Sequence, residues 1–295
     1  MNQPALVLYE KDARGVVNLT LNRPLAFNAL SEGLLMALQT ALHEVAADET
    51  VRVVVIGAAG KAFCAGHDLK EMRAAPSTGY FEALFSLCGQ MMMAILQLPV
   101  PVIAKVQGMA TAAGCQLVAM CDLAVASRDA RFAVSGVNLG LFCSTPSVAL
   151  SRNLQRKAAF EMLVTGDFIS AEEARDKGLV NRVVDAGLLD AEVETLVARI
   201  VSKPRVALAI GKALFYRQLE LGMQAAYDDA ARAMACNMMD EGALEGVQAF
   251  IEKRPPNWPA APRVADPLPQ SLPSSGKGQG QGEGVGETTK SAPTQ

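Results

Sequence analysis

The chain has 295 residues, is 51% hydrophobic and carries a formal net charge of −3. That composition supports a large core, while near-balanced charge supplies no basic stripe for nucleic acid and no polybasic patch for a membrane surface. The uncharged apolar stretch over residues 91–103 is interrupted by Pro99 and Pro101 and followed by Lys105, short of the roughly 18–20 residues that a membrane span needs.

The first fifteen residues, MNQPALVLYEKDARG, contain Glu10 and Asp12 and no basic segment followed by an apolar one. They read as neither signal nor transit peptide, and the expected location is cytoplasmic. The six cysteines (Cys64, Cys88, Cys115, Cys121, Cys143 and Cys236) form no C-x-x-C pair and sit mostly among apolar neighbours, so buried reduced thiols are expected. With only His43 and His67 available, no metal site is expected.

In chain order, residues 6–24 read as two strands joined at Ala13-Arg14-Gly15. Ser31 caps a helix with apolar residues at helical spacing that ends near Asp48. VRVVVIGA is a buried strand, residues 80–98 a helix stopped by Pro99, and VPVIAKVQG another strand. A short helix follows over residues 114–121, then the strands DLAVAS and ARFAV. Helices are expected over 146–154, 157–165 and 171–177, the last opened by a capping box at Ser170. LVNRVV is the last strand, and residues 188–253 read as helix with one break at Lys203-Pro204. The order is that of an α/β core with a helical extension. The divisions are a core over 1–202, a helical region over 203–259 and a tail over 260–295, rich in Pro, Ser, Gly and Gln and expected to be disordered.

Two weak motifs can be set aside. Gly57-Ala58-Ala59-Gly60-Lys61 follows a strand, but its spacing fits neither dinucleotide fingerprint nor phosphate loop, and Ala62 stands where Ser or Thr is needed. A nicotinamide-dependent oxidoreductase therefore has little support. Cys64 and His67 could form a thiol and base, but no third residue orients the imidazole.

Two loops carry more. Residues 61–70 (KAFCAGHDLK) and 108–116 (GMATAAGCQ) each follow a β-branched strand and are built of small residues that let a ligand approach the backbone. The second also opens a helix, whose unpaired N–H groups and positive dipole end face outward. Two such donors converging on one point would hold a developing enolate oxyanion. Read from spacing alone, both could equally be tight strand-to-helix turns.

The segments NRPLAFNAL (22–30), KAFCAGHDLKEM (61–72), PVIAKVQGMATAAGCQLVAMCDLAVAS (101–127), LVTGDFISAEEARDKGLVNRVV (163–184) and FIEKRPPNW (250–258) occur in an order that resembles the crotonase, or enoyl-CoA hydratase/isomerase, superfamily. The resemblance implies a crotonase-like spiral of ββα units with C-terminal helices that build homotrimers, often paired into hexamers. It implies an acyl-CoA thioester as substrate or ligand, with no further cofactor. Carried over by position, the oxyanion donors are the backbone N–H groups of His67 and Ala113. Ala26, Phe27, Ala65, Gly66, His67, Asp68, Leu69, Lys70, Ala113, Gly114 and Lys253 fall at ligand-binding positions. Arg23, Lys70 and Lys253 could meet phosphate, or could be solvated charges. Asp68 could instead cap its loop.

The chain departs from the superfamily where hydration needs carboxylates. The two acid/base positions are occupied by Gln116 and Gly136, and Ser144 falls near the dehalogenase-like carboxylate position. Residues 135–145, SGVNLGLFCST, contain no acid. AAGCQL with SGVNLGLFCSTP downstream is most similar to a subgroup whose name records membership and not a reaction. Thioester binding with oxyanion stabilisation but without ordinary hydration is expected, the chain being an enzyme of undefined reaction. The alternative is a non-catalytic acyl-CoA binder or regulatory protein of fatty-acid metabolism.

Overall fold

The computed structural model describes residues 4–74 and 76–258. The tail expected over 260–295 lies outside them. The described residues belong to one compact unit.

Two sheets share the work. The larger runs β1 (Val7–Lys11), β2 (Val16–Leu21), β3 (Val53–Ala58), β5 (Val102–Val106), β7 (Leu123–Ser127) and β10 (Arg182–Val184). Apart from the antiparallel β1–β2 pair, its strands are parallel. The smaller runs β4 (Ala62–Cys64), β6 (Met109–Thr111), β8 (Arg131–Ala133) and β9 (Ile169–Ser170). Consecutive strands alternate between them: β3 and β4, β5 and β6, β7 and β8. Each pair then runs into helix, which is the ββα spiral.

β3 and β5 are buried along almost their whole length because both faces of the large sheet are covered. One face packs against α1 (Glu32–Ala47) and α3 (Thr78–Gln97). The other packs Val16, Val53, Val55, Ile103 and Val125 against Leu189, Val193, Leu196 and Val197 of α8 (Leu189–Val201). Ser31 caps α1 by accepting the Leu34 N–H, and Ser170 with Glu173 forms the expected capping box on α7 (Ala171–Asp176).

Three expectations need correction. By length and composition (mean hydropathy 1.3), α3 could cross a membrane. Its apolar stretch starts well before residue 91, and in the fold it buries Leu84, Cys88, Met91, Met92 and Ile95. The helical region has further breaks, giving α9 (Arg205–Gln218), α10 (Met223–Met238) and α11 (Glu241–Ile251). Gly222 precedes α10 in extended conformation, and Asp240 caps α11 by accepting the Gly242 N–H. Lastly, Cys236 is exposed, whereas the other five thiols are buried.

α9 is fastened to the core by buried polar groups. Lys212 Nζ donates to Ile95 O at 2.9 Å, Val100 O at 3.0 Å and Asp122 Oδ2 at 2.7 Å. Tyr216 donates to Asp122 Oδ1 at 2.7 Å.

Candidate active site

The two loops singled out above each contain a strand of the small sheet. β4 pairs with β6 in parallel, with a register irregularity between Ala62 and Cys64. β6 pairs with β8, and the Ala112 N–H donates to Ala133 O at 2.9 Å. Thr111 Oγ1 bridges back to Ala65 O at 3.0 Å. Residues 65–67 and 111–113 therefore lie side by side.

Glycine makes that approach close enough. A Cβ on Gly66 would lie 2.9 Å from Ala112 Cβ and 3.4 Å from Ala113 N, and one on Gly114 would lie 2.2 Å from Cys64 O. Ala112 takes φ 49 and ψ −119, a costly backbone state for a residue with a Cβ, and it turns the chain directly into α4 (Ala113–Met120).

The donors follow from this geometry. Ala113 N–H is the first of α4 and has no preceding helical carbonyl to meet. Leu30 forms a parallel bridge with His67 by donating to Gly66 O at 2.8 Å and accepting from Asp68 N–H at 3.2 Å. That pair of bonds passes over the His67 N–H, which faces away from Leu30. Residues Ala113–Ala119 are all buried, so the positive end of α4 acts in a water-poor setting.

The His67 imidazole sits edge-on to Phe85, centroids 5.4 Å apart, and among the described residues neither ring nitrogen has a hydrogen-bond partner. Burial holds its pKa below the ordinary value, so the ring is a neutral plate. Cys64 is sealed, its thiol pushed up to about 12 by burial. The two side chains form no nucleophile–base pair.

Several expected ligand-binding positions converge. The Ala65 N–H donates to Phe27 O at 3.1 Å, placing the turn at Ala26 and Phe27 against residues 65–70. Phe27 has φ 50, and Lys61 Nζ stands 5.4 Å from its ring centroid. Buried Asn28 fixes this turn by donating to Ala59 O and Ala62 O. Leu69 and Lys70 are exposed at the start of α2 (Leu69–Ala74).

Other positions have structural duties. Asp68 accepts the Lys70 and Glu71 N–H groups and pairs with Arg23 at 2.9 Å. Burial alone would raise its pKa, but Arg23 and those N–H groups outweigh it and hold the carboxyl below the usual range. Asp68 is thus a helix cap, and Arg23 is committed to it and to Ala29 O. Lys253 follows α11, which packs on α9 and α10; among the described residues its side chain has no ion-pair partner.

The acid/base positions differ in kind. Gln116, on the first turn of α4, is 4% exposed, and among the described residues its Oε1 has no partner. Gly136 lies in the short 3-10 helix Ser135–Leu139, where an added Cβ would stand 2.5 Å from Leu141 O and 2.7 Å from Cys143 Sγ. The turn is closed by Leu141 N–H donating to Gly136 O at 3.0 Å. The sequence reveals a missing carboxylate at 136 but not that the turn has no room for one. Ser144 is exposed and bonds locally to Phe142 O.

The enoyl-CoA hydratase/isomerase family profile matches residues 11–261. Mouse enoyl-CoA hydratase domain-containing protein 3, mitochondrial, is 47% identical over 244 residues, covering 83% of this chain and 81% of its own. Among solved structures, an enoyl-CoA hydratase of Mycobacterium smegmatis is 68% identical with TM-score 0.85, covering 86% of this chain and 98% of that one. Human enoyl-CoA hydratase domain-containing protein 3 is 43% identical with TM-score 0.83, covering 86% of this chain and all of its own. The expected cytoplasmic location is corrected by the relatives' names: the mouse protein and its rat and human relatives are named mitochondrial. A lack of basic and apolar runs in fifteen residues does not identify a compartment.

Proposed function

We propose a function that starts from one fact: the chain belongs to the enoyl-CoA hydratase/isomerase family. It binds an acyl-CoA thioester, places the thioester oxygen on the N–H groups of His67 and Ala113, and stabilises an enolate there. The observation that carries this is the approach of residues 65–67 to residues 111–113, which sets two unpaired backbone donors at the dipole end of a buried helix. The turn at Ala26 and Phe27 and the exposed Lys70 border the same place and supply contacts for the coenzyme arm.

Ordinary hydration is not part of this proposal. It needs one group to activate water and another to protonate the α-carbon, each worth about 10²–10⁴-fold. Gln116 can orient water but cannot ionise, and Gly136 has neither a side chain nor space for one. Calorimetry with butyryl-CoA should show binding, and crotonyl-CoA should be hydrated at no more than a trace rate. Absence of binding overturns the thioester reading. Robust hydration by the wild-type chain overturns the reasoning from the missing carboxylates.

The closed turn at Gly136 favours a second reading, an acyl-CoA binder without turnover. Binding combined with inertness toward a broad acyl-CoA panel would select it. Assembly into a homotrimer or hexamer is supported by apolar side chains left exposed on α9–α11, among them Phe215, Met223, Tyr227, Met234, Phe250 and Ile251. Light scattering after size exclusion tests it, and a monomer at micromolar concentration overturns it.

A further inference from the structure

The corner where β3 begins and α8 gives way to α9 gathers cations without acids. Arg52 stands immediately before β3, and its Nη2 donates to Val201 O at 3.1 Å and to Lys203 O at 2.5 Å. Arg205 approaches from the other side. It is the first residue of α9, is only 8% exposed, and its Nε donates to Val51 O at 3.1 Å. Cα–Cβ bonds tilt toward the N-terminus of a helix, so the Arg205 stem lies over the start of α9. These bonds bring both guanidiniums to the place where residues 51–52 meet 201–205. Among the described residues, Arg52, Arg205 and the exposed Lys203 have no carboxylate in ion-pair reach.

Hydrogen-bond donors are in the same surplus. Among the described residues, Arg52 Nε is buried without a partner, and the two Nη groups of Arg205 meet no acceptor. The start of α9 adds to them. Its N-cap is Pro204, which offers no side-chain acceptor, and the N–H groups of Arg205, Val206 and Ala207 have none among the described residues. Buried donors are normally met, and like charges repel most where water is scarce. Burial and the neighbouring Arg205 charge both push the Arg52 pKa down.

We propose that this corner is an anion site, where Arg52, Arg205 and the first N–H groups of α9 hold one tetrahedral oxyanion of the phosphate class. A guanidinium fork matches phosphate oxygens in pairs, and a helix start favours the same charge. The donors come from three directions: the entry to β3, the Arg205 side chain and the α9 backbone. A planar carboxylate has two oxygens to share among them, whereas a tetrahedral anion has more. Bound there, the anion joins the entry of β3, the end of α8 and the start of α9. Its effect falls on the seating of the C-terminal helices. None of these residues belongs to loops 61–70 or 108–116, so the site stands independently of the thioester reading.

The test titrates the full chain with inorganic phosphate at constant ionic strength, balanced with sodium chloride. Calorimetry reads binding and scanning fluorimetry reads Tm. At a phosphate concentration 100 times Kd, the wild-type Tm should rise by about 5–10 °C. Arg205→Met should weaken phosphate binding by about tenfold or more and lose most of that rise, with butyryl-CoA affinity retained. Arg205→Lys keeps the charge without the fork, guards against a folding defect in the methionine variant, and should fall between the two. An equal Tm rise in wild type and both variants is a general salt effect and overturns the proposal, as does a wild type that gives no phosphate heat. A parallel loss of butyryl-CoA affinity in Arg205→Met assigns the phosphate to the coenzyme site and also overturns it. Trp258 Nε1 donates to Ser202 O at 2.9 Å, setting residue 258 beside this corner, and the sequence beyond it carries Asp266, Glu283 and Glu287. The full chain with Asp266→Asn, Glu283→Gln and Glu287→Gln should bind phosphate as wild type does. A gain of about tenfold would show the chain's own carboxylates competing for the corner, and would overturn phosphate as its ligand.

Discussion

Replacing Gly136 tests whether the second acid position is merely empty or structurally closed. In Gly136→Ala the new Cβ would start 2.5 Å from Leu141 O and 2.7 Å from Cys143 Sγ. An ordinary carbon contact is about 3.5–4.0 Å, so both neighbours must retreat by roughly 1 Å. Leu141 O is backbone, and its own N–H holds the turn shut on Gly136 O. Overpacking of this kind costs about 1–3 kcal/mol. In a chain of this size each kcal/mol lowers Tm by about 2–4 °C, giving an expected loss of about 2–12 °C for alanine. Gly136→Glu should lose more, because it adds a poorly hydrated carboxylate to the same clash. Scanning fluorimetry at matched protein concentration measures both variants, and crotonyl-CoA hydration is followed in Gln116→Glu with and without Gly136→Glu. The single Gln116→Glu variant should fold, and the double variant should be the least stable and gain no efficient hydration. A Gly136→Ala protein melting with wild type would refute the steric reasoning, and an efficient, stable double variant would refute it outright.

Three other outcomes are expected. Gly114→Ala, whose Cβ would meet Cys64 O at 2.2 Å, should separate β4 from α4 and weaken acyl-CoA binding by at least about tenfold by calorimetry. Lys212→Met should leave Asp122 in a buried site with its cation removed and cost about 3–5 kcal/mol of unfolding free energy, measured by chemical denaturation. Hydrogen bonds from Lys11 and Thr50 hold the Asp48 carboxyl at about 2, below its ordinary 3.8. A depressed carboxyl stabilises the fold at pH above the ordinary value, and that contribution is lost as pH falls toward the folded value. Asp48→Asn should therefore flatten the acid limb of a Tm-against-pH curve between these values.

Long, β-branched or strongly capped segments are legible in the sequence. β3 and β5 show as apolar runs, Ser31 stands one residue before its helix, and Ser170 with Glu173 spells out its capping box. β4 and β6 were not legible. Each has three residues, they alternate between sheets with their long neighbours, and their pairing is irregular. The break before α10 is a single extended Gly222 within otherwise helical composition, too local for a periodicity argument. At the site, the convergence of residues 26–27, 65–70 and 113–114 follows from the family resemblance. Pairings across the chain were less accessible: Arg23 with Asp68 and Lys212 with Asp122 bring together residues far apart in sequence. The crowding at Gly136 is set by Leu141 and Cys143, whose sequence nearness says nothing of where the carbonyl and sulfur point.

The burial of α4 also governs how the site responds to ionic strength. Mobile ions screen exposed charges over about 8 Å at physiological salt, but they act through water. Residues Ala113–Ala119 are sealed from solvent, so the field at the helix start is fixed by the fold and stays nearly constant as salt rises. Lys70, standing in solvent, has no such protection. Attraction for a polyanionic carrier would fade with added salt while the grip on a thioester oxygen would persist, so a salt titration separates the handle of the ligand from its reacting end.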